Sequence, residues 1–318
     1  GYVICGLDFL DFREISILQE GRVRPVTVLY TGGTIGMEHG KRGWRPAGSF
    51  SSLVSRYCPG LLGGSDVLVE YDPPIDSADV GPDLWYKIGR DCARAVSSGH
   101  GVVVVHGTDT LSWTAASLSL QQVAGKGVVA ITVSMIPLGC AGSDGVANLT
   151  QALNFARDLK NCGAAVCFGG RTIPAMRSRK ISASLSDAFR DVASLAGDGS
   201  SFHISAPHDL VLGPPAATAV LPDVAFAFLH PGISARSLLV GISAQSPAGL
   251  VLECFGTGTA PVVHGLLAQE LRNLVYTGTL VLAVSQCMDG MVDFDRYEAG
   301  AVLRDAGVPT AWYQRFTD

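Results

Sequence analysis

With 318 residues, 47% of them hydrophobic and only 16% charged, the chain carries enough core-forming side chains for one large domain or two smaller ones, and disorder is excluded. Its 23 Lys and Arg against 28 Asp and Glu leave a net charge of −5, which supplies no basic stripe for phosphates and argues against a nucleic-acid partner. The longest apolar runs, such as Gly101 to Val105, are a handful of residues where a spanning helix needs roughly 20, so no membrane partner is expected. Eight cysteines are scattered without a Cys-x-x-Cys pair, which points to reduced thiols and to a cytoplasmic protein. Gly1 in place of Met leaves room for a removed targeting peptide and hence for an organelle matrix.

In chain order, Gly1 to Pro25 has no period and reads as an extension. Short β-branched runs then alternate with segments of helical spacing, the pattern of an α/β fold with a parallel or mixed sheet covered by helices. Strands are predicted at Val26 to Tyr30, Val67 to Tyr71, Val102 to His106, Val128 to Val133, Ala164 to Phe168, Val224 to Phe228, Leu250 to Glu253 and Leu280 to Val284. Helices are predicted at Pro82 to Ser97, Leu111 to Ala124, Gly145 to Asp158, His264 to Tyr276 and Tyr297 to Ala306. Four prolines between Pro207 and Pro222 mark a linker, so the expected domains are residues 26–206 and a smaller 223–318.

Two strand ends carry hydroxyls beside glycine. The first strand runs into Thr31-Gly32-Gly33-Thr34-Ile35-Gly36, and carboxyl ends of strands are where open α/β sheets bind ligands. This loop lacks the Gly-x-Gly-x-x-Gly spacing and the Gly-Lys-Ser/Thr ending, so it is no phosphate cradle. Taken alone it also fits a tight turn with a capping threonine. The second loop is His106-Gly107-Thr108-Asp109-Thr110, where Thr108 or Asp109 suits a helix cap and Asp109 adds a carboxylate. A hydroxyl nucleophile needs a proton acceptor and a group that restrains it, and Thr, Lys and Asp form a sufficient set. Among the few lysines, Lys180 in Arg177-Ser178-Arg179-Lys180 is the candidate, against the ordinary reading of a solvated basic cluster. His203, His208 and Asp209 lack metal-site spacing, and neither a metal nor another cofactor is expected.

Tyr30 to Met37 and His106 to Leu111 resemble the two signature segments of the bacterial-type L-asparaginases, closest to the type I cytosolic branch. Ile75-Asp76-Ser77, Ile136-Pro137-Leu138, Ser143-Asp144-Gly145, Pro231-Gly232-Ile233, Phe255 to Pro261 and Gln286-Cys287-Met288 extend the resemblance from Val26 to Gly307. It implies a two-domain α/β fold and hydrolysis of L-asparagine to L-aspartate and ammonia, with Thr34 as nucleophile. By the same resemblance Thr108, Asp109 and Lys180 move protons and orient water, Ser77 with Asp76 holds the α-carboxylate, and Asp109 attracts the α-ammonium group. A homodimer or homotetramer is implied.

The pattern is also departed from. Trp44, on the expected lid loop, replaces a tyrosine and has an N–H but no hydroxyl, which implies reduced turnover. Ala78 removes a polar group, and Val133 with Ser134-Met135 replaces a glycine and small-polar pattern, with a side chain expected to crowd an oxyanion donor. Glu253 replaces an arginine linked to allosteric control in some bacterial members. The family's final helix has no clear counterpart in Val308 to Asp318, whose loss would bare apolar surface. These departures define the competing expectation, a structural or binding subunit of a larger assembly with weak or no activity; the resemblance also implies a third, an ammonia-supplying subunit of an amidotransferase.

Overall fold

The structure, a computed structural model, describes residues 23–41, 43–121, 123, 127–183, 187–192, 222–261, 266–287 and 292–309. The linker expected at 207–222 therefore lies, except for Pro222, outside the described residues, as do His203, His208, Asp209 and residues 310–318. Two compact units are present, the first containing the described residues up to Asp191 and the second those from Pro222 onward.

In the first unit β1 (Val26–Gly32) leads into a hairpin of β2 (Met37–Gly40) and β3 (Gly43–Pro46), then α1 (Phe50–Tyr57), β4 (Val67–Ile75) and α2 (Pro82–Ser97). Next come β5 (Gly101–Val105), α3 (Leu111–Leu120), β6 (Val128–Thr132), α4 (Gly145–Arg157), β7 (Gly163–Phe168) and β8 (Arg171–Pro174). A small antiparallel pair, β9 (Ser178–Lys180) and β10 (Phe189–Asp191), follows. The main sheet has the order β4-β1-β5-β6-β7-β8, parallel except for β8.

Alternation along the strands explains why helices cover both faces. Val26, Val28 and Tyr30 of β1 share one core with Val103, Val105, Phe50 and Val54 of α1, and Leu149, Ala152 and Leu153 of α4. Leu29, Val102, Val104, Val129 and Ile131 face the other way, into a core with Ile88 and Cys92 of α2 and Leu111, Ala115 and Leu118 of α3. Each fully buried aliphatic side chain contributes roughly 1.5 to 3 kcal/mol. β5 and β6 are buried along their whole length, which is why they read as unbroken apolar runs.

The second unit is a parallel sheet of β11 (Val224–Phe228), β12 (Gly249–Cys254) and β13 (Leu280–Ser285), with α5 (Ala235–Gln245), α6 (Leu266–Tyr276) and α7 (Glu298–Asp305). Its core joins Leu250, Leu252, Val281 and Ala283 to Leu267, Leu271 and Leu274 of α6 and Leu303 of α7. Val224, Phe226, Phe228 and Leu280 on the opposite sheet face are exposed.

All eight predicted strands are present, and α2 has the predicted ends. The β2–β3 hairpin, α1, α5 and β8 to β10 were not predicted. For α1 the local cap, Ser49, which accepts from Ser52 N at 3.3 Å, is joined by a second from elsewhere in the chain. Its Ser-rich sequence has weak helix propensity, and its first amides, Phe50 N and Ser51 N, donate to the Glu70 carboxylate on β4, each at 2.8 Å. Predicted α3 runs four residues past the described helix, which ends at Leu120.

A buried carboxylate ties the start of β1 to α4. Asp66 accepts from Val26 N at 2.8 Å, Gly63 N at 2.7 Å and the Arg157 guanidinium at 2.5 Å, with its side chain only 3% exposed. Burial pushes this carboxyl up, but the bonds from Gly63, Arg157 and Val26 outweigh it and hold it below the usual aspartate value. A lowered native value means stability that is present above about pH 3.9 and lost as pH falls through the native value. Asp66→Asn is expected to cost on the order of 3 kcal/mol. In thermal unfolding that corresponds to a Tm lower by about 6 to 12 °C, and an unchanged Tm would contradict the assignment.

Candidate functional site

The strand order places a topological switch beside β1: the chain leaves β1 for β4 on one side and returns to β5 on the other. Ligands of open α/β sheets bind at the carboxyl ends beside such a point. Here the ends of β1, β4 and β5 carry the Gly32 to Gly36 loop, the Ile75 to Asp79 turn and the His106 to Thr110 loop.

These three segments touch through backbone. Gly33 has φ +91°, and a Cβ there would lie 2.5 Å from both Gly107 Cα and His106 O, so only glycine fits. A Cβ on Gly107 would in turn meet Ser77 Cβ and Oγ at 2.5 Å. Thr34 directly follows Gly33 and Thr108 directly follows Gly107, so both threonines leave the same point of contact. Thr34 opens a single 3-10 turn, Thr34–Gly36, and is partly exposed. Beneath that turn the Tyr30 ring stacks on Phe50, with centroids 4.0 Å apart and planes 7° from parallel.

Thr31, read from sequence as a hydroxyl at the opening, is buried and donates to Val105 O at 3.0 Å. It joins the ends of β1 and β5 and does not face a ligand.

Lys180 reaches the second loop. Its ammonium donates to Thr108 Oγ1 at 2.9 Å and to Asp109 Oδ1 at 2.7 Å, and the Thr108 hydroxyl lies 3.4 Å from the same carboxylate oxygen. Within the basic run Arg179 is exposed, but Arg177 and Lys180 are engaged. Arg177 pairs with Asp191 at 2.8 Å, and Lys180 sits on β9 opposite Phe189 of β10 with its side chain 19% exposed. Asp109 is more open, at 63%, and its Oδ2 has no partner among the described residues. The hydrogen bond from Lys180, with its charge and the Thr108 hydroxyl, outweighs burial and holds the Asp109 carboxyl below its ordinary value.

Neither Thr108 nor Asp109 caps α3. The cap position is Thr110, whose hydroxyl donates to Ser77 O at 2.6 Å instead. Ser77 is buried, and its Oγ accepts from Asp109 N at 3.3 Å, so it braces the second loop. Asp76 is exposed and accepts from Ala78 N at 2.9 Å, capping the short turn that carries Ser77.

Trp44 stands on β3, 52% exposed, with its ring edge-on to His39 at 5.4 Å. Val133 is fully buried in the core shared with Val129 and Ile131, so its side chain does not crowd the loop as expected. The Met135 and Ile136 amides both donate at 3.0 Å to Asp144, which Asn148 Nδ2 also binds. Asp144 and Asn148 were missed as organising residues; the signal was the carboxylate of the Ser143-Asp144-Gly145 segment. No group of three His, Cys, Asp or Glu side chains suited to a metal occurs among the described residues. No helix among them is long and apolar enough to cross a membrane.

Residues 25–198 match the family model "Asparaginase, N-terminal" and residues 223–314 match "Glutaminase/Asparaginase C-terminal domain". L-asparaginase 1 of Escherichia coli (strain K12) is 32% identical over 301 residues, covering 90% of this chain and 86% of the relative. An L-asparaginase of Dirofilaria immitis is 31% identical over 317 residues, 89% of this chain, which spans about half (53%) of that relative's length. Among solved structures, the thermostable L-asparaginase from Thermococcus kodakarensis superposes with a TM-score of 0.72 at 26% identity, covering 90% of this chain and 88% of its own. Two strand-end loops meeting at Gly33 and Gly107, and two family models that together span most of the chain, place it in the asparaginase family.

Proposed function

We propose that the chain is an amidohydrolase that converts L-asparagine to L-aspartate and ammonia, with Thr34 as the nucleophile. The observation that carries this reading is the hydrogen-bonded group Lys180, Thr108 and Asp109, set on the loop against which the Thr34 loop packs.

The chemistry balances without a cofactor. Thr34 Oγ1 attacks the side-chain amide carbon, its proton passes to the amide nitrogen that will depart, and backbone N–H groups at the strand ends hold the tetrahedral oxyanion. Collapse breaks the C–N bond, and the amine, carrying that proton, leaves as ammonia. Water then adds to the β-aspartyl ester, and cleavage of that bond restores the Thr34 hydroxyl and releases L-aspartate. Lys180 and Thr108, linked at 2.9 Å, orient this water and pass protons. Asp109 Oδ2 takes the α-ammonium group. The Ser77 hydroxyl, held on the turn capped by Asp76, donates to the α-carboxylate. Each charge-assisted hydrogen bond is worth roughly 1.5 to 3 kcal/mol, enough in sum to select a zwitterionic amino acid over a bare amide. Glutamine differs by one methylene, worth only about 1 to 3 kcal/mol, so slower turnover of it accompanies this pocket.

Trp44 takes the lid position in this reading, with the boundary between the domains within residues 207–222. The working protein is a homodimer or homotetramer of the cytoplasm.

Thr34→Ala should lower ammonia release from L-asparagine by at least about 10⁴-fold; equal release from both proteins would remove the assignment. Lys180→Met should lower kcat by about 10² to 10⁴-fold with the fold kept. A pH profile reads the same pair. The lowered Asp109 value keeps its anion at acid pH, so the acid limb it controls falls below about pH 4 in the wild type and moves up in Lys180→Met. An acid limb at the same pH in both proteins would contradict the pairing.

A further inference from the structure

His106 and Thr114 are both fully buried, and neither belongs to the Lys180, Thr108 and Asp109 group. His106 Nδ1 lies 2.8 Å from Gly107 O, and its Nε2 lies 3.0 Å from Thr114 Oγ1 on α3. Trp85 Nε1, on α2, lies 3.1 Å from the same Thr114 oxygen.

The donors and acceptors assign themselves. A carbonyl only accepts, so the hydrogen is on Nδ1 and donates to Gly107 O. An indole N–H only donates, so Thr114 Oγ1 accepts from Trp85 and turns its own hydrogen to Nε2. Each polar atom in the chain Trp85, Thr114, His106, Gly107 then has a partner, with the imidazole neutral. A second proton on Nε2 would force the Thr114 hydrogen off the imidazole and place a charge in a fully buried site. Burial acts in the same direction, lowering the affinity of His106 for a proton against the opposing bond to Gly107 O.

The carbonyl so held occupies a decisive place. Gly107 is the residue against which Gly33 packs, and its C=O belongs to the peptide that leads into Thr108. In a trans peptide the C=O and N–H point oppositely, so fixing Gly107 O also aims the Thr108 N–H away from the imidazole. We propose that His106, as a neutral Nδ1–H imidazole locked by Thr114 and Trp85, is a positioning residue that sets the Gly107–Thr108 peptide and hence the approach of Thr108 and Asp109 to Lys180. The sequence signal was the His that opens the second motif and a threonine eight positions on, in the first turn of α3.

Thr114→Val keeps the shape and removes the hydroxyl, while Thr114→Ser keeps the hydroxyl. The kinetic consequence rests on the amidohydrolase reading above, whereas the imidazole spectrum does not. In full-length protein labelled with 15N at histidine, His106 should show a protonated Nδ1 and bare Nε2 from about pH 5.5 to about 8.5, either side of the ordinary value of about 6.5. In Thr114→Val the Nδ1–H tautomer, still held by Gly107 O, should persist while the Nε2 signal moves on loss of its hydrogen bond, and kcat/KM should fall by about 10- to 100-fold, the scale of a small misplacement of reacting groups. Thr114→Ser should restore both. A charged imidazole or an Nε2–H tautomer in the wild type would overturn the proposal, as would Thr114→Val with an unmoved Nε2 signal or wild-type kcat/KM. Absence of wild-type turnover would sink the amidohydrolase reading, and an Nε2 signal moved in Thr114→Val and restored in Thr114→Ser would still support the positioning of Gly107.

Discussion

Everything at the site depends on the contact of two backbones. Gly33 and the His106–Gly107 peptide approach so closely that no side chain fits between them, and this brings the ends of β1 and β5 together as one surface. Ser77, pressed against Gly107, adds the end of β4. The sheet makes that contact possible because β1 lies between β4 and β5, so three loops emerge side by side at one edge. Glycine here is a requirement of space as well as of the positive φ at Gly33.

Around this contact the polar groups divide their labour. Thr31 and Thr110 spend their hydroxyls on the scaffold, tying β1 to β5 and the second loop to the turn after β4, and Ser77 serves those ties only as an acceptor, through its carbonyl and Oγ. Lys180, Thr108 and Asp109 bond to one another toward the more open side. Below them His106 is buried with a complete set of partners. The same residue types, threonine and serine, are thus buried as struts or left toward the open side according to the partner within reach.

Much of this was legible in the sequence. β5 and β6 are buried on both faces and announce themselves as apolar runs, and α2 opens with a proline whose missing N–H costs nothing in a first turn. The pairing of Thr108, Asp109 and Lys180 was anticipated from residue types and motif. What escaped was fixed by groups distant in the chain. α1 has its first two amides held by Glu70 on β4 beside its local cap Ser49, the strand pair β9–β10 that carries Lys180 is three residues per strand, and Val133 turns inward because the end of β6 is still core. Thr31 and Thr34, three positions apart and of one residue type, could be separated only by the burial that the neighbouring strand β5 imposes.

The central claim is that Thr34 and the Lys180 group face one small-molecule pocket. A crystal structure of the protein with L-aspartate tests it most directly. The account predicts the side-chain carboxylate of the ligand within about 3 to 3.5 Å of Thr34 Oγ1, the distance of a near-attack geometry, with the α-ammonium group on Asp109. Ligand bound at saturating concentration but away from Thr34, or density at Thr34 with Asp109 turned from the ammonium group, would contradict it.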